Sequence, residues 1–180
     1  MTPQTQTQLA IPVNAQDHSR GPKDAPITLV EYGDFECPHC GQAHYQLQEL
    51  EKALGESMRL VFREFPLTTV HPHAAQAAEA AESAGAQRKF WPMHDILFEN
   101  QDALEDDDLA QYAATLGLDA RRLIAEVLAG AHSARVREDF SSGARGGVNG
   151  TPTFFVNGVR YDGAPDVDGL IAALTQSDAR

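Results

Sequence analysis

The sequence has few cysteines, few basic residues and no long apolar run. Its 180 residues include two cysteines and one tryptophan, and 14 Lys and Arg stand against 26 Asp and Glu, for a formal net charge of −12. Because no basic cluster offsets this charge, nucleic acid and anionic membranes are excluded as expected partners. No apolar run approaches the roughly 20 residues of a membrane-spanning helix. The length fits one domain, or one domain with an inserted subdomain.

A secretory signal is also missing from the first residues of the sequence. Residues 1–15 are rich in Thr and Gln, and they have neither a basic n-region nor an apolar h-region. We expect residues 1–15 to be a disordered tail and the protein to be cytoplasmic, unless an export leader has been removed. In a cytosolic chain, one pair of cysteines indicates catalytic or sensing chemistry rather than a structural disulfide.

The two cysteines form the motif Cys37-Pro38-His39-Cys40 between a predicted strand and a predicted helix. Residues 27–32 are mostly apolar and β-branched, as in a buried strand. Residues 38–54 carry apolar side chains at helical spacing, Pro38 suits the first helical position, and Gly55 supplies the stop. The pattern therefore predicts that Cys37 lies at a helix N-terminus and Cys40 inside the first turn.

This position favours a reactive thiol. Free N–H groups and the partial positive charge at a helix start stabilise a thiolate, and the thiol pKa in such motifs falls to roughly 3.5–7.5. We predict that Cys37 is the exposed nucleophile and Cys40 the buried thiol that resolves a mixed disulfide. A protonated His39 would add a positive charge near Cys37. Since a stable thiolate favours the reduced form, the disulfide is expected to be a strong oxidant.

Other interpretations of the cysteine pair stay open. The cysteines could be purely structural, or Cys37 could act as a lone nucleophile. A zinc site could use Cys37 and Cys40 with ligands drawn from the histidines His39, His44, His71 and His73. However, the chain has no second C-x-x-C and no H-x₃₋₅-H pair at a suitable distance. We therefore favour a redox dithiol that needs neither a metal nor an organic cofactor.

A single acidic residue, Glu31, interrupts the strand that precedes the motif. A buried carboxylate is costly and tends to have a raised pKa. Near Cys40, Glu31 could accept or donate the proton that disulfide exchange requires. Alternatively, Glu31 lies at a solvated strand end and has no role. Asp34 and Glu36 lie in the next loop and are interpreted as solvated charges.

The remaining segments predict an α/β fold with a helical insertion. Residues 58–65 form a second strand, parallel to the first through a right-handed crossover. The next seventy residues are helical throughout, and residues 151–161 form a hairpin around Asn157-Gly158. Pro152 must start a strand or lie at its edge, and it is a candidate for a cis peptide bond, although its residue type alone favours trans. A cis turn there would expose Thr151 backbone groups for pairing with an extended substrate.

Together these features resemble the DsbA-like family of thioredoxin-fold thiol–disulfide oxidoreductases. The resemblance covers residues 17 to about 175, and the segments that carry it are Asp17-His18, Gly33-Asp34-Phe35, Cys37-Pro38-His39-Cys40, His71-Pro72-His73-Ala74, Phe90-Trp91 and Asn149-Gly150-Thr151-Pro152-Thr153. It implies a thioredoxin-like domain at residues 16–66 and 144–176, interrupted by a helical subdomain at residues 67–143. Two departures are the missing export signal and Pro92, which follows Trp91.

The resemblance also implies roles for individual residues. Cys37 would be the nucleophile, Cys40 the resolving thiol, and Pro152 a cis-proline facing them, while Glu31 falls where the family has a buried acid. The expected function is a DsbA-like oxidase that exchanges disulfides with proteins and is recycled by a redox partner or the glutathione pool. A disulfide isomerase or reductase is an alternative, as is a non-catalytic zinc- or peptide-binding module. The chain shows no dimerisation element, so we expect a monomer.

Overall fold

A five-stranded sheet forms the centre of the protein. The structure is a computed structural model and describes residues 7–163 and 166–177. The strands follow the spatial order β1-β3-β2-β4-β5, and their bounds are His18–Arg20, Ile27–Gly33, Met58–Glu64, Thr153–Val156 and Val159–Tyr161, numbered β1 to β5 along the chain. The pair β2 and β3 is parallel, as predicted, and the other three pairs are antiparallel.

Seven helices surround this sheet in the described residues. They are α1 (Pro38–Leu54), α2 (Ala74–Ala86), α3 (Phe90–Glu99), α4 (Asp106–Thr115), α5 (Ala120–Ala129), α6 (Ser133–Arg145) and α7 (Val167–Ser177). Pro92 lies in the first turn of α3, where its missing N–H removes no helical hydrogen bond.

The two faces of the sheet are covered by different helices. On one face, α1 and α7 pack over a core that includes Leu29, Leu47, Leu60 and Leu170. On the opposite face α6 lies against β3. The contact is close because a Cβ at Gly143 would lie 2.8–2.9 Å from ring atoms of Phe65 and Tyr32. Because side chains alternate along a strand, Glu31 points to the same face as Leu29, toward α1.

The helices between β3 and β4 build a second core that reaches the cysteine motif. Helices α2 to α5 pack on one another, with small alanines of α2 at the centre. Phe35, Cys37, Cys40 and Phe62 belong to this same cluster of buried residues. The cysteines therefore lie where the sheet and the helical segment meet. The proposed domain boundaries at residues 66/67 and 143/144 stay a prediction.

The predicted disordered tail is wrong for residues 7–15. Gln8 forms a bridge with Val159 on β5, and the Leu9 N–H donates to the Gly158 carbonyl at 2.8 Å. Leu9 and Val13 also pack against the sheet core beneath α6. These backbone and apolar contacts hold the segment against the edge of the sheet. Residues 1–6 lie outside the described residues.

Candidate active site

The strand β2 and the helix α1 position the two cysteines. Cys37 is the residue before α1, with φ −72° and ψ 121°, and its N–H donates to the Asp34 carbonyl at 3.1 Å. Both thiols are free. Cys37 is 4% exposed and Cys40 is fully buried. The prediction of a buried Cys40 agrees with the structure, but the prediction of an exposed Cys37 is wrong, because Cys37 belongs to the buried cluster that includes Phe35 and Phe62.

The Thr151–Pro152 loop lies opposite Cys37. The Thr151–Pro152 peptide bond is cis, as the family resemblance implies and contrary to the preference of the residue type alone. The Cys37 thiol donates to the Thr151 carbonyl at 3.5 Å. This approach follows from the sheet, since β4 runs antiparallel beside β2 and pairs Thr153 with Tyr32. The loop thus places backbone polar groups within reach of the nucleophile.

The pKa values of the two thiols are shifted in opposite directions. A hydrogen bond from Cys40 lowers the pKa of Cys37 to about 5, and the Thr151 side chain and the backbone N–H groups of Cys40 and His39 act in the same direction against burial. Burial raises the pKa of Cys40, and the hydrogen bond to Cys37 and the charge of Glu31 raise it further. The His39 side chain is exposed, so its backbone N–H is what contributes at Cys37. Pro38 beside it is also exposed.

Glu31 is a buried acid beneath the thiols. It is 1% exposed and lies in β2 between Phe62 on β3 and Phe154 on β4. Its Oε1 has no hydrogen-bond partner among the residues that the structure describes. Burial, followed by the charge of Cys37, raises the pKa of Glu31 to about 8. Glu31 is therefore mostly protonated at neutral pH, and in its charged form it raises the pKa of Cys40.

Asp34 and Glu36 are not solvated charges, and that interpretation is wrong. Asp34 is buried, and its carboxylate accepts hydrogen bonds from the Glu36 N–H at 2.8 Å, the Leu67 N–H at 2.8 Å and His71 Nδ1 at 2.7 Å. Glu36 accepts from the N–H of His73 at 2.6 Å and from its ring at 3.0 Å. The two carboxylates thus bind the active-site loop to the segment that precedes α2.

A glutamine that the sequence analysis did not consider also holds this loop. Gln101 Nε2 donates to the carbonyls of Phe35 and Cys37, both at 2.8 Å. The amide fits there because Gly41 has no side chain to occupy the space. Nothing in the sequence marks Gln101, which follows α3 and lies 64 residues after Cys37.

The described residues do not assemble the zinc site considered above. The one group that could bring three ligand atoms within 4.8 Å of one another is His44, His94 and Asp95, and it contains neither cysteine. The Asp95 carboxylate already accepts from Arg20 at 3.0 Å and from His94 at 2.8 Å. Within the described residues, Cys37 and Cys40 thus belong to no group of three potential ligand atoms.

An open cleft adjoins the cysteine motif. It has a volume of about 490 Å³, and its lining residues are Glu36, Pro38, His71, His73, Gln101, Asp102, Leu104 and Glu105. Three of these are acidic and two are the histidines paired with Asp34 and Glu36. The cleft therefore opens beside the first turn of α1, which carries Pro38.

Comparison with known proteins agrees with this architecture. A family model described as thioredoxin matches residues 13–176. Among solved structures, oxidised BdbD from Bacillus subtilis superposes with a TM-score of 0.83 at 22% identity, covering 95% of this chain and 96% of that one. A thioredoxin-like oxidoreductase from Silicibacter pomeroyi gives 0.81 at 26% identity, covering 93% and 95%. These matches confirm the predicted thioredoxin fold with inserted helices and the DsbA-like resemblance.

Curated relatives carry a different kind of name. The chain is 47% identical over 172 residues to a Na(+)/H(+) antiporter NhaA 1 from Salinispora arenicola, an alignment that covers 95% of this chain and 26% of that protein. It is 44% identical over 169 residues to a Na(+)/H(+) antiporter NhaA 1 from Mycobacterium sp. strain KMS, covering 92% and 28%. The chain thus spans about a quarter of the length of these relatives. Within the described residues, no helix has the length and apolar character to cross a membrane.

Proposed function

The chain belongs to the thioredoxin family, and from this premise we propose that it is a thiol–disulfide oxidoreductase acting on proteins through Cys37 and Cys40. The observation that carries the proposal is the pair of opposed acidities, a Cys37 pKa of about 5 beside a Cys40 pKa raised by burial. A stable thiolate at Cys37 makes it a good leaving group and favours the reduced pair. The pair is therefore suited to accept electrons from substrate thiols, as a DsbA-like oxidase does.

The proposed reaction begins with the Cys37–Cys40 disulfide. A substrate thiolate attacks Cys37 Sγ, a mixed disulfide forms, and Cys40 leaves as a thiolate. Because Glu31 has a pKa of about 8, it holds the proton that Cys40, the more basic thiol, takes up. A second substrate thiolate then attacks the substrate sulfur and releases Cys37 as a thiolate. The substrate loses two electrons and the cysteine pair gains them.

The substrate is held against the Thr151 loop in this proposal. The Thr151 carbonyl lies 3.5 Å from the Cys37 sulfur, so an extended segment that pairs with this backbone would bring its own sulfur next to Cys37. Pro152, which follows, donates no N–H, and therefore leaves the pairing to the Thr151 groups. A redox partner or the glutathione pool would reoxidise the pair. The cytoplasmic location expected from residues 1–15 stays a prediction.

Matched cysteine variants test the proposal. Cys37→Ser should abolish disulfide exchange with a reduced, unfolded protein. Cys40→Ser retains the Cys37 nucleophile, so with a protein that carries a disulfide it should accumulate a mixed disulfide on Cys37, and the other substrate sulfur leaves as a thiolate. Equilibration of the unmodified protein with glutathione buffers should give a two-electron transition at an oxidising potential. A potential near that of thioredoxin, about −270 mV, would favour the reductase alternative. If no disulfide forms at any ratio, the redox function is wrong.

The antiporter names of the curated relatives do not change this proposal. Ion transport is attributed to proteins about four times as long as the matched segment, and that segment has the thioredoxin fold in this chain. We therefore propose no ion transport for the chain itself.

A further inference from the structure

A buried carboxylate lies close to the nucleophile and is not used in the proposed reaction. The Asp34 side chain has no exposed surface, and its own backbone carbonyl accepts the Cys37 N–H at 3.1 Å. A negative charge in a poorly solvated site three residues from Cys37 disfavours a second negative charge on the sulfur. A low Cys37 pKa therefore requires that something compensate the Asp34 charge.

His71 is the cation that the structure offers. Its Nδ1 lies 2.7 Å from Asp34 Oδ2, and within the described part of the chain this is the ion pair that Asp34 forms. Burial opposes a charge on His71, but the hydrogen bond and charge of Asp34, followed by the charges of Cys37 and Glu36, raise the His71 pKa. Electrostatic coupling is reciprocal, so a protonated His71 favours the Cys37 thiolate as much as the thiolate favours the proton on His71.

We propose that His71 is a positioning residue that, by neutralising Asp34, keeps Cys37 in the thiolate form. The inference rests on the proposed function and deepens it by naming the group that sets the redox balance. His71 does not attack or leave in the reaction. It takes the role that the sequence analysis gave to His39, whose side chain is exposed.

Several charged groups surround His71, and one neighbour, His73, provides a matched control. Asp34, Glu36 and Cys37 act on it directly, and Asp102 and Glu105 line the same cleft. His73 has the same chemistry nearby, paired with Glu36 at 3.0 Å and with Glu105 at 3.6 Å. However, the partner of His73 is a partly exposed carboxylate, whereas Asp34 is buried. Solvent screens the His73 pair, so its loss should affect the sulfur less.

The first test compares His71→Gln with His73→Gln. Glutamine can still donate to a carboxylate but carries no charge. The thiolate absorbance of reduced protein, followed against pH, should show that His71→Gln raises the Cys37 pKa by about one unit. The same variant should shift the equilibrium with glutathione about tenfold toward the protein disulfide. His73→Gln should give less than half of either change, and His71→Lys should restore the unmodified values.

A double variant separates charge compensation from a structural role. In Asp34→Asn/His71→Gln both charges are gone, so the Cys37 pKa should return toward that of the unmodified protein. A purely structural role would leave the double variant at least as perturbed as His71→Gln alone. An unchanged Cys37 pKa in folded His71→Gln, checked by near-ultraviolet circular dichroism, overturns the inference. If the unmodified protein forms no disulfide, the proposed function fails instead, and the absorbance titration still decides the role of His71.

Discussion

Replacing Glu31 by glutamine should make the protein more stable at neutral pH. Glu31 is fully buried and its pKa is raised from 4.5 to about 8. At neutral pH the folded state therefore holds a proton that the unfolded state has released. Between pH 4.5 and neutral pH, each rise of one pH unit therefore lowers the free energy of unfolding by about 1.4 kcal/mol. Glu31→Gln carries no such cost, so its unfolding free energy should exceed that of the unmodified protein by about 3 kcal/mol at neutral pH.

The pH dependence gives the sign of this effect. The pKa is higher in the folded state, so the contribution of Glu31 to stability falls as pH rises from 4.5 and levels off above about 8. The advantage of Glu31→Gln should thus vanish near pH 4.5 and reach its maximum above pH 8. For a chain of this length, about 3 kcal/mol corresponds to a rise in Tm of roughly 6–12 °C.

Urea unfolding of the reduced protein at several pH values measures the difference. The matched control is Glu49→Gln, since the Glu49 side chain is 64% exposed on α1 and, within the described residues, forms an ion pair only with the exposed Lys52. It should change stability by less than about 1 kcal/mol at every pH. A Glu31→Gln protein that is less stable than the unmodified one at neutral pH, or whose advantage does not vary with pH, would refute the reasoning. The same variant should form the mixed disulfide with a substrate thiol about 10²-fold more slowly, because the Cys40 thiolate that leaves has lost its proton donor.

Three further predictions concern the site and its support. The ultraviolet thiolate absorbance of Cys37 should titrate near pH 5, and a transition near pH 8 instead would contradict the stabilised thiolate. Asp17→Asn should lower the unfolding free energy by about 3–5 kcal/mol, because the buried Arg63 loses its carboxylate at 2.8 Å; a urea midpoint that does not move would contradict this. Gln101→Ala should cost about 1–3 kcal/mol and slow the formation of the mixed disulfide, because the Phe35 and Cys37 carbonyls lose their donor; an unchanged rate would show that Gln101 does not hold the loop.

Elements specified by neighbouring residues were predicted closely from the sequence. The helix α1 begins at Pro38 and ends at Leu54, as proline placement, apolar spacing and Gly55 indicated. The turn at Asn157-Gly158 has φ values of 48° and 83°, the left-handed conformation that this dipeptide predicts. The buried Glu31 followed from an acid within an apolar strand. In each of these cases the physical cause lies within a few residues of the effect.

Contacts between distant residues account for what the sequence did not reveal. The sequence predicts a solvated Asp34 because its partner His71 lies 37 residues further along. It predicts a disordered segment at residues 7–15 because β5, the strand that binds this segment, comes near the end of the described chain. The local sequence around a polar residue such as Asp34 or Gln8 is the same whether the residue is solvated or bonded to a distant partner. Only the assembled fold distinguishes the two states.

The order of the strands in the sheet affects the order in which the active site forms during synthesis. The Cys37 sulfur and the Thr151 carbonyl that faces it are 114 residues apart in sequence, and β4 reaches its place beside β2 only after every helix from α1 to α6 has been made. Closing so long a loop makes this contact one of the later ones to form. During synthesis, the cysteine pair would therefore leave the ribosome well before the Thr151 loop. A nascent chain that stopped after α6 would contain both thiols without the backbone carbonyl that faces Cys37.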